Sequence, residues 1–415
     1  MVEMESLFKA ALGLTDPWYV KDLQFDKEAK RLIISIDFKA GSRFFYKDKE
    51  AGNSGTYPVY DTVIKRWRHL NFFEHECCLE ARVPRIITGD GNVRQVEVPW
   101  GGRMTGFTLL FEALILALLQ RMPVHEVGEL FKISDNKLWE LMHRYVEKAK
   151  SHIDFSAMQR IGIDETSARK GHDYITLFVD MDKKSVVHIE EGRGAETIKG
   201  FAAELEAKGA KAEQIKEVSS DLSPAFISGI AKYLPAASLT FDRFHVMKII
   251  NEAVDKTRKW EKSEPALKNM RYILLKNRSN LNLKDMKKLA DLELNSMHLK
   301  TVKAHQMREN FQLIFEAQSK KVFIRLLRKW CVTAEKSGIF NMEKAAKTIR
   351  KHWLGIANWH ETRLTNGILE GFNSLIQAAK AKARGYRTKK NLIAITYLIL
   401  GKLDFSKVNK CCQPT

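Results

Sequence analysis

The sequence predicts an α+β protein with several domains, and three observations support this fold class. Residues 30–83 contain short segments typical of strands. Residues 159–241 combine a meander of strands with alternating helices and strands, and residues 260–360 are helical in pattern with no strand signal. At 415 residues, the chain is long enough for roughly two to four structural units.

The net charge indicates a polyanionic partner. The chain has 69 Lys and Arg residues against 50 Asp and Glu residues, a net charge of +19, and a pI near 9.5. Nucleic acid is the first candidate, and an anionic membrane surface is the second. The longest apolar run, residues 107–119, contains Glu112 and is too short to span a bilayer, and the first residues show no signal-peptide pattern. We therefore expect a soluble cytoplasmic protein that binds nucleic acid.

The five cysteines predict neither a disulfide framework nor a zinc site. They occur as Cys77-Cys78, Cys331 and Cys411-Cys412, and no two of them have the spacing of a zinc knuckle. These thiols are most simply buried or incidental in a reducing compartment.

The amino-terminal region predicts a small β-rich module. Alternating apolar residues indicate a strand over residues 30–38, and residues 59–83 are typical of further short strands. The polar, glycine-containing stretch between them, residues 40–57, is predicted to be a loop. Basic side chains interleaved with aromatic ones in this region fit either contact with a nucleic-acid backbone or an ordinary solvated face.

The next region predicts a helix-turn-helix. Pro123 is typical of a helix start, and Asp135 or Asn136 is the expected N-cap of the second helix of the pair. Such a pair, with a basic second helix, matches a DNA-binding helix-turn-helix, although any helix pair with a solvated basic face looks similar. Lys137 and Arg144 are candidates for contacts with base edges or phosphates. The helices are predicted over residues 107–120, 124–131 and 137–150.

From residue 159 the pattern predicts a layered domain of strands and helices. Three strands in a meander are followed by alternating helices and strands. From Phe244 the pattern is helical through residue 360. The strands are predicted over residues 160–166, 173–181, 185–190, 215–219 and 238–241, and the helices between them over residues 197–208 and 224–233.

Residues 364–377 predict an amphipathic helix. One side is polar and carries Glu370, and Gly367 and Gly371 are expected to let another backbone come close. A lone glutamate on such a helix is usually solvated surface, so its role depends on other carboxylates. The side expected to pack on a core contains Ile368, Leu369, Phe372, Leu375, Ile376 and Ala379.

Two aspartates follow apolar runs of predicted strands. Asp164 and Asp221 are both expected at carboxyl ends of strands, where open sheets place their ligand sites. If the two strands are neighbours, the carboxylates converge, and a cation between them offsets their repulsion. Glu370 would complete a cage of three carboxylates suited to Mg²⁺ or Mn²⁺ rather than zinc. Two such ions can activate a water or a 3′ hydroxyl for in-line attack on a phosphodiester.

Other carboxylates near strand ends are weaker candidates. Asp180 and Asp182 belong to a predicted hairpin turn, where acidic residues are common for conformational reasons. Asp242 is the main rival of Glu370, but we expect it to orient a neighbour such as Arg243 or His245.

Several short motifs, taken in order, resemble one family. They are similar to those of the DDE-type insertion-sequence transposases of the ISL-three family, and the resemblance runs from about residue 59 to residue 400. The motifs are Ile163-Asp164-Glu165-Thr166, Arg169-Lys170-Gly171-His172, Ser220-Asp221, Asp242-Arg243-Phe244-His245-Val246, Asn251-Glu252-Ala253-Val254-Asp255, and Arg363-Leu364-Thr365-Asn366-Gly367 with Glu370-Gly371-Phe372-Asn373.

The resemblance implies a ribonuclease H-like catalytic domain, a mixed five-stranded sheet with helices, interrupted by an all-helical insertion. It matches Asp164, Asp221 and Glu370 to the catalytic, metal-binding triad of the family. Their separations of 57 and 149 residues place the insertion before Glu370. The expected domains are a β-rich module (1–100), a helix-turn-helix (101–155), the first part of the catalytic core (156–259), the helical insertion (260–360), the second part of the core (361–405) and a tail (406–415).

One departure from the family concerns zinc. The family usually opens with a cysteine-rich zinc-binding segment, and residues 44–91 keep only Cys77-Cys78. The amino-terminal module is therefore expected to fold without zinc.

The resemblance implies a transposase that binds the ends of its insertion sequence and catalyses metal-dependent DNA cleavage and strand transfer. Its partners would be double-stranded DNA, as terminal inverted repeats and as target, and further copies of the chain in the DNA complex. No membrane partner is expected, and the location would be the nucleoid in the cytoplasm of a bacterial cell. Two alternatives remain: a catalytically silent DNA-binding derivative, and a ribonuclease H-like nuclease without strand transfer.

The basic segment over residues 380–390 is expected to continue the helix of Glu370. We expect Arg384, Arg387 and Lys389 to bind phosphates flanking the scissile position, with a solvated helix end as the alternative. Arg243 and His245 are further candidates for DNA contact.

Overall fold

The structure, a computed structural model, describes residues 4–47, 54–101, 105–169, 171, 173–364 and 366–413. Three residues of the family motifs, Lys170, His172 and Thr365, lie outside this description. The chain divides into two compact units, the first comprising Met1–Ile153 and Lys382–Thr415 and the second comprising Asp154–Ala381.

The first unit begins with a β-rich module. Its main sheet has the order β1-β2-β6-β5, with β7 on β6, and only the pair β2–β6 is parallel. The elements are α1 (Met4–Ala11), β1 (Trp18–Asp26), β2 (Arg31–Phe38), β3 (Arg43–Lys47), β4 (Ser54–Pro58), β5 (Asp61–Arg68), β6 (Glu76–Ile87) and β7 (Val93–Gln95).

The prediction of a loop over residues 40–57 was wrong. The antiparallel hairpin β3–β4 lies there. Phe44 explains its position, because this ring is buried against the rings of Trp18 and Phe38 at centroid distances of 5.6 and 5.3 Å. The polar, glycine-containing composition of the stretch predicted a loop, and the burial of Phe44 was not predicted.

Three helices follow in the first unit: α2 (Leu109–Leu119), α3 (Val124–Phe131) and α4 (Asp135–Lys150). They lie where the sequence predicted them. Lys132 adopts a left-handed conformation (φ 55°) and ends α3. The N-cap of α4 is Ser134, whereas the sequence predicted Asp135 or Asn136.

The second unit contains a mixed five-stranded sheet with the order β10-β9-β8-β11-β12, in which β8 and β12 flank β11 in parallel. Strand β8 is longer than predicted, so Asp164 lies within it and not at its end. The elements up to the last strand are β8 (Arg160–Arg169), β9 (Asp173–Asp180), β10 (Ser185–Glu191), α5 (Ala195–Ala207), β11 (Glu217–Ser220), α6 (Pro224–Tyr233) and β12 (Ser238–Phe241).

The rest of the second unit is helical, and residues 243–362 contain no strand, as predicted. Their core is formed by apolar side chains such as Val246, Ile250, Phe311 and Phe323. The helices are α7 (Arg243–Trp260), α8 (Arg271–Leu275), α9 (Leu283–Asn295), α10 (Lys300–Ile314), α11 (Lys320–Glu335), α12 (Phe340–Lys351), α13 (Trp353–Thr362) and α14 (Gly367–Lys382). None of the helices in the described part of the chain is long and apolar enough to cross a membrane.

Helix α14, which carries Glu370, does not continue through residue 390, so that prediction was wrong. It ends at Lys382, because Arg384 and Gly385 adopt left-handed conformations (φ 54° and 95°). A separate helix, α15 (Lys389–Leu400), then begins in the first unit.

The predicted packing of α14 is also corrected. A Cβ atom on Gly371 would meet nothing within 4 Å, whereas one on Gly162 of β8 would lie 2.9 Å from Cδ1 of Leu369. The close approach therefore depends on the strand glycine. Leu369 and Ile376 are buried, but Leu375 is 53% exposed, so the apolar side is narrower than predicted.

The predicted tail belongs to the first unit. Asn409 is 2% exposed, and its Nδ2 donates to the carbonyl of Leu109 (2.7 Å) and to the hydroxyl of Tyr145 (2.9 Å). These contacts join the last residues to α2 and α4.

Candidate active site

Asp164 lies just beyond the point where β11 stops pairing with β8, because the last paired residue of β8 is Gly162. Asp164 is 7% exposed. Its Oδ1 accepts a hydrogen bond from the backbone N–H of Glu165 (2.9 Å), and its Oδ2 accepts one from Nδ2 of Asn373 on α14 (2.9 Å). Burial raises the pKa of Asp164 to about 6, and the neighbouring carboxylates act in the same direction.

Asp221 directly follows β11. Its Oδ1 accepts a hydrogen bond from the backbone N–H of Ser223 (3.0 Å), and its second oxygen accepts none from the residues that the structure describes. Burial raises the pKa of Glu165, and the charge of Asp221 adds to this shift as it does for Asp164. The strands that carry Asp164 and precede Asp221 are neighbours, and burial and the charge of Asp221 both raise the pKa of Asp164. Convergence of the two carboxylates on a metal and their catalytic role stay predictions.

Glu370 lies in the first turn of α14 and is exposed. Its side chain has no hydrogen bond or ion pair within the described ranges. Asn366, before the helix, accepts a hydrogen bond at Oδ1 from the hydroxyl of Ser219 on β11 (2.6 Å), and Asn373 bonds to β8. The glutamate is thus unbonded between two asparagines that attach its helix to the strands of the aspartates.

Further polar side chains continue this attachment along β8. Gln377 donates to Oγ1 of Thr166 (2.9 Å), and Nζ of Lys380 donates to the carbonyl of Ser167 (2.6 Å). Together with Asn373, these residues recur at helical spacing on one side of α14. The sequence predicted a polar side for this helix, but no role was assigned to Asn373 or Gln377. Their spacing from Glu370 was the signal that could have identified them.

Asp242 is 1% exposed and connects three elements. Its Oδ2 accepts a hydrogen bond from the backbone N–H of Phe244 (3.1 Å) and caps α7, and its Oδ1 accepts one from the backbone N–H of Asn366 (3.1 Å). Nδ1 of His245 lies 3.6 Å from Oδ2, and the carboxylate raises the pKa of His245. Asp242 thus positions the chain before α14, in line with the orienting role expected for it.

A cleft of about 1090 Å³ opens beside these residues, between α7 and the helical insertion. Glu370, Asp242 and His245 line it, together with cationic residues such as Arg243 and Lys248. The guanidinium of Arg243 lies 4.8 Å from the ring centroid of Phe315. A polyanion in the cleft would pass directly beside Glu370.

The donor chemistry of the three acidic residues fits a hard divalent cation. Asp164, Asp221 and Glu370 offer only carboxylate oxygens, and burial of Asp164 without a counter-charge is unfavourable until a cation is present. Across the described residues, however, no three His, Cys, Asp or Glu side chains are close enough together to hold a metal ion. Closure of the cage by Glu370 stays a prediction.

The candidate DNA-contacting residues of the first unit have different surroundings. Nζ of Lys137 lies 4.4 Å from the ring centroid of Phe107, whereas Arg144 donates to the buried Glu112 (2.7 Å). The other three, Arg384, Arg387 and Lys389, lie between α14 and α15 or at the start of α15. DNA contact by any of these residues, and by Arg243 and His245 of the second unit, stays a prediction.

Comparison with known proteins identifies the family of the chain. A family profile described as "Transposase", of the DDE type, matches residues 161–396, and one described as "Helix-turn-helix domain of transposase family ISL3" matches residues 96–146. The transposase for insertion sequence element IS1557 of Mycobacterium tuberculosis is 26% identical over 428 residues, 95% of each chain. The transposase for insertion sequence element IS1001 of Bordetella parapertussis is 29% identical over 339 residues, which cover 79% of this chain and 82% of that protein.

The two profiles and these relatives identify an insertion-sequence transposase with a helix-turn-helix domain and a DDE-type domain. Because the transposase profile matches more than half of its length, the chain belongs to the ISL3 family, which is the ISL-three family of the sequence resemblance.

Proposed function

We propose that this transposase cuts DNA at the ends of its own insertion sequence and joins the cut ends to target DNA. The observation that carries the proposal is that Asp164 and Asp221 lie on or directly after the neighbouring strands β8 and β11, and that the Glu370 helix is attached to Asp164 through Asn373. The mixed sheet, with a helical insertion between β12 and α14, supports a ribonuclease H-like catalytic domain.

Asp164, Asp221 and Glu370 would hold Mg²⁺ or Mn²⁺. Such ions supply activation of the attacking oxygen and stabilisation of the leaving oxygen at a phosphodiester. The protein itself contributes orientation. Asn373 fixes one oxygen of Asp164, Asp242 fixes the chain before Glu370, and the cleft beside Glu370 admits the polyanionic strand.

The partners we propose are the terminal inverted repeats of the element, the target duplex and further copies of the chain in the DNA complex. The helix-turn-helix would recognise the repeats, because the second helix of such a motif can place side chains against base edges in the major groove. Joining two ends of one element requires both ends to be held in one complex, which is why we infer an oligomer.

The test uses the full chain with Mg²⁺ and labelled duplexes from the DNA that flanks its gene. Joined products are expected. Nicks without joining would identify a nuclease, and retarded but intact DNA would identify a silent DNA-binding protein. Asp164→Asn, Asp221→Asn and Glu370→Gln should each abolish cleavage and leave DNA binding intact, and chelation of the metal should have the same effect on the unmodified protein.

A further inference from the structure

The positive charge of the chain is not located in the helix-turn-helix. Residues 124–150, which contain α3 and α4, have five basic and five acidic residues, so their net charge is zero with histidine neutral. Residues 320–351, which contain α11 and α12, have ten basic and two acidic residues, a net charge of +8. These 32 residues therefore carry more than two fifths of the net charge of +19.

Helices α11 and α12 pack through apolar sides. Phe323, Leu327 and Trp330 of α11 and Ala345 and Ile349 of α12 are buried in the helical core. The charged residues lie on the opposite, solvent-facing sides. The exposed sides of both helices therefore carry most of the charge of the segment.

A few basic side chains of this segment already have partners. Arg350 forms a two-armed ion pair with Glu335 (2.8 and 2.7 Å), which links the two helices. Arg328 lies over the ring of Trp353 at 4.4 Å, and Nζ of Lys320 lies 2.6 Å from a carboxylate oxygen of Glu361. These three basic side chains therefore stabilise the packing of the segment.

The remaining basic side chains form what we call the basic face. All seven are exposed, and none forms an ion pair with a described residue. Like charges three or four residues apart on a helix repel each other, so a polyanion that neutralises them is favoured. The basic face consists of Lys321, Arg325, Lys329, Lys336, Lys344, Lys347 and Lys351.

The composition and length of the basic face fit the backbone of duplex DNA. Six of its seven members are lysines, which act as point charges toward phosphate and lack the planar fork with which arginine reads guanine. From Lys321 to Lys336 the helical rise corresponds to about 22 Å, roughly two thirds of a turn of B-form DNA.

We propose that the basic face binds the phosphate backbone of duplex DNA, independently of sequence, and that it supplies a large part of the electrostatic affinity of the transposase. This inference rests on the proposed function, since it assumes a DNA substrate. On this proposal, the helical insertion provides the electrostatic, sequence-independent part of the DNA affinity, and the helix-turn-helix recognises the sequence.

The test compares two full-length variants that lose the same charge. The basic-face variant carries Arg325→Gln, Lys329→Gln, Lys344→Gln and Lys351→Gln. The control carries Lys276→Gln, Lys284→Gln, Lys287→Gln and Lys288→Gln, which are exposed residues at and before α9, a helix with three basic and three acidic residues. All eight positions are exposed, so both variants should unfold at the temperature of the unmodified protein.

Binding is measured in metal-free buffer as a function of salt, on a duplex from the element end and on a random duplex of equal length. The slope of log K against log[salt] should become shallower by about 3.6 units in the basic-face variant if all four side chains contact phosphates, near 0.9 per lost contact, and to the same extent on both duplexes. The control should keep the slope of the unmodified protein.

An unchanged slope in the basic-face variant would overturn the inference, and so would an equal change in the control, which would show that only net charge acts. A change confined to the element end would assign base recognition to the face and also contradict it. Because this assay measures binding without metal, its result is independent of whether the protein cuts DNA. Failure of the inference and failure of the proposed function are therefore separate outcomes.

Discussion

Glu112 in the first unit and Glu370 in the second both lie in the first turn of a helix, but their surroundings are opposite. Glu112 is 1% exposed and accepts hydrogen bonds from the hydroxyls of Thr105 and Tyr145 and from Arg144. Glu370 is exposed and unbonded within the described part of the chain.

This difference teaches how to separate a structural carboxylate from one that is available to a ligand. The oxygens of Glu112 already have three donors, and removing one partner of such a buried group is costly. The oxygens of Glu370 have none, although two asparagines hold its helix in place. A group that is fixed in position but unbonded is suited to binding a cation or a phosphate.

The largest expected effects are opposite in these two glutamates: one substitution affects cleavage and the other affects the free energy of unfolding. Glu370→Gln should abolish cleavage and leave the free energy of unfolding unchanged, because the side chain contributes no internal contact. Glu112→Gln should lower the free energy of unfolding by about 3–5 kcal/mol, because it leaves the Arg144 charge without its buried partner. Thermal unfolding and single-turnover cleavage, measured on both variants, check the prediction. Equal loss of stability in the two variants would remove the distinction between them.

The second prediction concerns Asp242, which is buried like Glu112 but lies beside the site. In Asp242→Asn, one of the two carboxylate oxygens that accept backbone N–H bonds becomes a donor. We expect a loss of about 1–3 kcal/mol in the free energy of unfolding and weaker cleavage. The measurement is urea unfolding followed by a cleavage assay at saturating Mg²⁺.

Asp182→Asn is the matched control for Asp242, since Asp182 also follows a strand but forms a half-exposed ion pair with Arg160. Its loss should cost less than about 1 kcal/mol. If Asp242→Asn lowered the free energy of unfolding as little as the control does, the attachment of α14 would not depend on Asp242, the residue that caps α7.

The third prediction separates positioning from packing along α14. Asn373→Ala removes the donor to Oδ2 of Asp164, so the carboxylate loses its fixed orientation. We expect the Mg²⁺ concentration for half-maximal cleavage to rise by about 10- to 100-fold. Gln377→Ala, one turn further along, removes a bond to Thr166 that does not involve a carboxylate, and it should leave the Mg²⁺ requirement unchanged. The same shift in both variants would mean that the helix contact acts only through packing.

Much of the fold could be predicted from the sequence because its elements have strong local periodicity. The helix pair α3–α4, the meander β8–β10 and the helical run from Arg243 to Thr362 follow from apolar spacing alone. The predictions that were wrong concern segments whose structure depends on contacts or backbone conformations that local periodicity does not show. The hairpin β3–β4 depends on the burial of Phe44, and the end of α14 depends on the left-handed residue Arg384.

The site was predictable to a similar degree. The position of Asp221 after a strand is local information, and its proximity to Asp164 follows from the pairing of β11 with β8. The spacing of Asn373 and Gln377 from Glu370 could have indicated that they share its side of the helix. Their partners on β8 could not be predicted, because these contacts require the relative placement of a strand and a helix about 200 residues apart in the chain. The partner of Arg144 was hidden for the same reason, since Glu112 lies within an apolar run.

The smallest expected effect tests whether the ion pair of Glu112 removes Arg144 from DNA recognition. Lys137 packs on the ring of Phe107 without an ion pair in the described residues, so its ammonium group can still turn toward DNA. Lys137→Gln should reduce the preference for the element end over random duplex by less than about tenfold, since a single lysine contact to a base is modest. Arg144→Gln should weaken binding to both duplexes equally, because it acts through the stability of the helix-turn-helix.

The measurement is competition binding with the two duplexes at one salt concentration. Arg144→Gln could instead keep the stability of the protein and lose the preference for the element end over random duplex. That result would show that Arg144 leaves Glu112 when DNA binds. In that case the buried glutamate would be a switch partner of the recognition helix and not a fixed structural group.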